Sequence, residues 1–213
     1  MPSRGLRRPL RYVGLRWWLL AGAVAATAGL AIAYLATSRT SSPKLASHAA
    51  QISPAASVAE FAYLAAQDSN HCGLQAGEIM KMRPGVMLQG SCCDPMNLAS
   101  FQYQVTALRR YSVLPAIPPD PYSISAGLAR RLIGDERSIA LSGGEQKTFR
   151  QAISMTADKA PCCCHCWRWD MTTGLARYLI SARHWDSRQV AEVVDLVHGC
   201  GGQYERGSYP ASQ

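Results

Sequence analysis

The sequence predicts a mainly α-helical protein: an N-terminal transmembrane helix, then a small helical extracytoplasmic domain with two cysteine-rich loops. Three observations carry this. Residues 17–37 form one uninterrupted apolar run. Downstream of residue 57, apolar residues recur at helical spacing behind capping residues, and no β-type alternation persists. Eight cysteines fall at only four places along the chain.

The apolar run comes first. Arg4, Arg7, Arg8, Arg11 and Arg16 precede it, and no charge interrupts Trp17 to Thr37. About 20 such residues span a bilayer as a helix. Trp17, Trp18 and Tyr34 suit the two interfaces, and the arginine excess places the N-terminus in the cytoplasm. The organisation read from this is a cytoplasmic basic segment over 1–16 and a transmembrane signal-anchor over 17–37. A Ser/Ala/Pro-rich linker over 38–56 follows, then a cysteine-rich domain over 57–202 and a flexible tail over 203–213. A cleaved signal peptide is the alternative, but its apolar region is shorter, about 7–15 residues. The expected location is the cell membrane, single-pass, with the main domain periplasmic or extracellular.

The net charge of +8 does not point to nucleic acid. Five of the 22 basic residues are the N-terminal arginines, leaving 17 against 14 acidic residues. No basic stripe with interleaved aromatics is present, so nucleic acid is not an expected partner.

The helices follow in order. Ser57 and Glu60 make a capping box ahead of Phe61 and Leu64. Asp94-Pro95 reads as a cap followed by proline at the first helical position, opening a helix from Met96 to Tyr111. Pro115, Pro118, Pro119 and Pro121 then forbid helix. A short helix is expected from Ser123 to Ile133, stopped by Gly134, and another from Ser142 to about Lys159. Thr172 to Arg183 is helical, and Asp186 caps a last helix carrying Val190, Val193, Val194 and Val197.

Leu141-Ser142-Gly143-Gly144-Glu145-Gln146 reproduces the signature sequence of ABC transporter ATPases. Nucleotide chemistry also needs a phosphate-cradling Gly-rich loop ending in Gly-Lys-Ser/Thr, and the chain has none. Ser142-Gly143-Gly144-Glu145 is therefore read as a capping box, with no nucleotide partner.

The cysteines are Cys72, the pair Cys92-Cys93, the cluster Cys162, Cys163, Cys164 and Cys166, and Cys200. His71 adjoins Cys72, and His165 sits inside the cluster. Met80, Met82 and Met87 lie between Cys72 and Cys92. Thiolates with imidazoles favour thiophilic ions, copper or zinc first. For the methionines, core packing is the better reading. The candidate metal ligands are Cys162, Cys163, Cys164, His165, Cys166, Cys92, Cys93, Cys72, His71 and Cys200.

Two conformations of the cluster remain open. If residues 161–166 are extended, Cys162, Cys164 and Cys166 share one face. If they turn into a helix, Cys163 and Cys166 form a Cys-x-x-Cys pair suited to thiol–disulfide exchange. An oxidising compartment also permits structural disulfides, although adjacent Cys92-Cys93 cannot easily close on each other. Asp170, Glu78 and Asp94 lie near cysteines but form no recognisable acid–base pair, so an enzyme is not the favoured class.

Pro161-Cys162-x-Cys164-x-Cys166 resembles the motif of the PCYCGC-type bacterial extracytoplasmic proteins, which also carry helices after their cysteines. Cys163 and His165 replace the Tyr and Gly of that motif. The resemblance covers at most residues 145–200 and implies a bacterial surface protein with a metal or thiol function. Cys163-x-x-Cys166 is similar in spacing to the pair of membrane-anchored thiol reductants of cytochrome c maturation, which supports redox as the second class.

The favoured reading is a membrane-anchored extracytoplasmic protein binding copper or zinc through a Cys/His cluster. Loops 70–93 and 160–170 are expected to converge, with Cys200 nearby. The expected partner is a membrane protein complex or a metal-receiving protein. The alternatives are a thiol–disulfide redox protein using Cys163 and Cys166, and a disulfide-stapled structural or interaction module.

Overall fold

The computed structural model describes residues 54–161 and 165–210. Among them, seven α-helices and one short two-stranded ribbon make the domain mainly helical. The helices are α1 (Pro54–Ala65), α2 (Ala76–Ile79), α3 (Leu98–Leu108), α4 (Ala126–Ser138), α5 (Gly143–Met155), α6 (Trp167–Arg183) and α7 (Ser187–Leu196). Strands β1 (Met87–Gln89) and β2 (Ser123–Ser125) pair antiparallel. No helix among these residues is long and apolar enough to cross a membrane. The expected span over 17–37 and its flanking segments up to residue 53 lie outside the described residues.

Helix α6 is the axis of the domain, packed against α2, α4, α5 and α7. Trp167, Met171, Leu175, Ala176 and Leu179 are fully buried, and Arg168, Thr172 and Thr173 are buried with them. A helix buried on most of its circumference belongs at the centre of a bundle. The sequence expectation started this helix at Thr172; it starts at Trp167, directly after Cys166, which occupies its N-cap. The tryptophans and arginine that look like a loop are its first turn.

Gly174 sets the closest helix crossing. A Cβ there would stand 1.8 Å from the Leu132 carbonyl oxygen on α4. Gly134, expected to stop α4, lies inside it with open space around it, and the helix continues to Ser138. Ser125 caps α4, because Ser123–Ser125 pairs with β1 and is not helical. Leu88 and Ile124 face each other across that ribbon and both enter the core. Three residues per strand are too few for alternation to register.

Other helix starts also move. Helix α1 begins at Pro54, three residues before the expected cap at Ser57. Helix α3 begins after Asn97, whose side chain accepts a hydrogen bond from the Ser100 N–H at 3.0 Å; Asp94-Pro95 is loop. A 3-10 turn over Arg109–Tyr111 ends it. The capping box Ser142/Glu145 on α5 and the Asp186 cap of α7 form as expected, the latter as a capping box with Gln189. Residues 203–210, which composition places in a flexible tail, run back over the helices. The Gly207 N–H donates to buried Asp195 at 2.9 Å, the Tyr204 N–H donates to Ser100 at 2.7 Å, and Tyr209 is buried.

The two glycines predict opposite outcomes. Gly174→Ala should destabilise the domain, because overpacking of about 1–3 kcal/mol at a rigid carbonyl exceeds the helix-propensity gain of about 1 kcal/mol. Gly134→Ala, with nothing to collide with, should stabilise it by about 0.5–1 kcal/mol. Urea melts of the two variants check both signs.

Candidate metal centre

Cys92 follows the turn after β1, and Cys200 follows α7, 108 residues later. Two backbone hydrogen bonds bring them together. The Cys200 carbonyl accepts from the Cys93 N–H at 3.1 Å and from the Asp94 N–H at 2.8 Å. Gly201, at φ +91°, lets the chain turn away at once, and a Cβ there would meet the Asp94 carbonyl oxygen at 1.8 Å. Gly202 then donates to the Pro95 carbonyl at 2.9 Å. The result is three thiols, Cys92, Cys93 and Cys200, whose sulphurs all lie within 4.8 Å of one another.

Cys92 is the hub. Its Sγ stands 3.2 Å from the Cys200 sulphur and 3.4 Å from the Cys93 sulphur. These separations are well beyond the ~2.05 Å of a disulfide, and Cys92, Cys166 and Cys200 are thiols. A fourth thiol, Cys166, at the N-cap of α6, lies near enough to Cys92 to shift its acidity but is not one of the three within 4.8 Å. Cys92, Cys166 and Cys200 are buried, and Cys93 is exposed.

Trp167 fixes that fourth thiol in place. Its indole N–H donates to Asn70 at 3.1 Å, its backbone N–H donates to the Leu74 carbonyl at 3.1 Å, and the Asn70 amide donates to the Gly90 carbonyl at 2.8 Å. Loop 70–90 is thereby tied to the start of α6, with Cys92 on one side and Cys166 on the other. Trp167 is core, with its polar edge satisfied.

The thiols hold their protons tightly. The hydrogen bond from Cys166 lowers the Cys92 pKa, but the bond to Cys200 and burial outweigh it and push Cys92 from 9.0 up to about 11. The hydrogen bond to Cys92, and then burial, push the Cys166 thiol up as well, against the N–H groups of Arg168 and Trp169 at the start of α6. Buried thiols in apolar surroundings behave this way. A soft cation displaces such protons when thiolates become its ligands.

The other expected ligands among the described residues stand apart from this group. His71 and Cys72 are exposed, and the His71 ring contacts the Cys72 carbonyl. His165 is exposed and pairs with Asp170 at 2.5 Å. Cys162, Cys163 and Cys164 lie outside the described residues. Met80 and Met82 pack against the core, and Met87 is exposed. His184 ends α6 in the left-handed conformation. His198 pairs with Asp158 at 2.6 Å on the wall of a polar cavity of about 320 Å³, which Cys93, Cys200 and Asp195 also line.

Sequence reasoning missed Arg168. It is 4% exposed, and its Nη2 donates to the Pro121 carbonyl at 2.8 Å. Its guanidinium carbon lies 4.9 Å from the Trp167 ring centroid. The available signal was an arginine held between Trp167 and Trp169. Comparison with known proteins finds no match, whether to protein-family models, to curated proteins or to solved structures.

Raising the Cys92 pKa from 9.0 to about 11 cuts its thiolate fraction at neutral pH roughly a hundredfold. Iodoacetamide at pH 7.5, followed by mass spectrometry, should therefore label Cys92 far more slowly in the folded protein than in urea, and the folded Cys92 rate should climb until about pH 11. The folded state holds this proton more tightly than the unfolded chain. The stability it contributes is complete below pH 9 and is lost as pH rises through about 11. Gly201→Ala should part the two loops and bring Cys92 labelling towards the rate seen in urea.

Proposed function

We propose that the protein is a membrane-anchored extracytoplasmic binding protein for a thiophilic metal ion, copper or zinc, serving sensing, storage or delivery. The observation that carries this reading is the group of three thiols within 4.8 Å, drawn from two distant segments. Cys166, beside Cys92, offers a fourth. Tetrahedral thiolate sites for zinc and low-coordinate thiolate sites for Cu(I) are built from such groups. The polar cavity beside Cys93 and Cys200 gives an ion a hydrated approach.

The basic N-terminal segment, the apolar run over 17–37 and the resemblance of the Pro161 motif to PCYCGC-type proteins support an extracytoplasmic setting. A metal-receiving protein or a membrane complex is the corresponding partner. Thiol–disulfide exchange is the second reading, and the 3.2 Å approach of Cys92 and Cys200 favours it. Exchange catalysts, however, need a thiolate near ambient pH, and Cys92 is pushed the other way. That difference puts metal binding first.

The full chain, prepared anaerobically with reductant, should take up Zn(II) or Cu(I) in equilibrium dialysis. Affinity should rise with pH between 6 and 8, as thiol protons are released. Cys92→Ser and Cys200→Ser should each weaken uptake by at least about tenfold. Equal uptake by a variant lacking Cys92, Cys93 and Cys200 would overturn the reading.

A further inference from the structure

Arg168 is a buried cation placed beside the thiols with donors to spare. Its Nε and Nη1 have no hydrogen-bond partner, and no carboxylate pairs with it within 4 Å among the described residues. Together with Cys166 and Cys200 it lines a small, mainly apolar cavity of about 40 Å³. The chain makes room for it. A Cβ at Gly199, the residue before Cys200, would lie 2.5 Å from Nη1 and 2.7 Å from Cζ. Trp167 and the Pro121 carbonyl hold the guanidinium from the other side. A buried charge with orphaned N–H groups is costly.

That cost has a counterpart when the site is loaded. Three thiolates on Zn(II) carry a net charge of minus one, and two or three thiolates on Cu(I) carry minus one or minus two. A trithiolate of arsenic(III) is neutral: As(OH)3 takes up three thiols and releases three waters, with no net change of charge. Charge-assisted hydrogen bonds to an anion are the strong ones, and a fixed cation in a dry site favours anionic complexes over neutral ones.

We propose that Arg168 is the built-in counter-cation of the thiolate site, so that the site selects ions whose thiolate complexes are anionic over thiophiles whose complexes are neutral. This rests on the metal-binding reading and adds the basis of its selectivity. Arg168 is a positioning and charge-balancing residue, not a ligand.

The test compares Zn(II), Cu(I) and arsenite on the full-length wild type, Arg168→Gln and Arg168→Lys, prepared reduced. The glutamine variant should lose about 10–100-fold in Zn(II) and Cu(I) affinity, the range typical of outer-shell partners. Its arsenite affinity should hold within a fewfold, and Arg168→Lys should recover part of the metal affinity. Parallel loss for all three probes would reduce Arg168 to a structural role and overturn the proposal; so would no loss at all. Wild type that binds none of the three would instead refute the metal site itself. If Arg168→Gln does not fold, the wild-type Arg168 Nε–H resonance decides. It should shift on Zn(II) loading and stay in place with arsenite, and equal shifts would overturn the proposal.

Discussion

The cysteine site depends on one backbone acceptor. The Cys200 carbonyl takes hydrogen bonds from the consecutive N–H groups of Cys93 and Asp94, and no side-chain chemistry could assemble the thiols without that clamp. It works because Gly201 adopts a conformation that costs glycine nothing and leaves no Cβ against Asp94. Everything around it braces the two segments it joins. Asp195 on α7 accepts from the Ala157 N–H at 3.0 Å and from the Gly207 N–H at 2.9 Å, so the loop before the cysteine cluster and the C-terminal stretch are pinned to one helix. Trp167 pins the other side through Asn70.

The physical character of the site is tension between stability and readiness. Cys92, Cys93 and Cys200 share sulphur contacts, Cys92 and Cys166 resist ionisation, and the buried Arg168 beside them has no carboxylate within 4 Å among the described residues. A core selected for stability alone would place apolar side chains at these positions. Departures of this kind concentrate where a protein does its chemistry. Asp120 fits the same pattern: it is buried, one carboxylate oxygen has no partner, and desolvation pushes its pKa up to about 6.

Much of this was legible in the sequence, for local reasons. The capping box at Ser142 and the cap at Asp186 depend on nearby residues, so they could be read directly. The ABC-like hexapeptide resolves into one of them. The pairing of Leu88 with Ile124 and the run of α4 through Gly134 depend on tertiary partners, and local rules failed there. The approach of loop 70–93 to the start of α6 was foreseeable from where the cysteines lie. The central place of Cys200 was not, because a turn built on Gly201 carries no sign of what it will touch. Arg168 was hidden for the same reason: charge next to tryptophan reads as surface until the helix that buries it is known.

The central claim is that thiols from two distant segments form one metal site. X-ray absorption spectroscopy on the full-length protein loaded with one equivalent of Zn(II) tests it most directly. The account predicts a first shell dominated by sulphur at about 2.3 Å, with at least three sulphurs per zinc. A shell of oxygen and nitrogen near 2.0–2.1 Å, with no sulphur scattering, would contradict it.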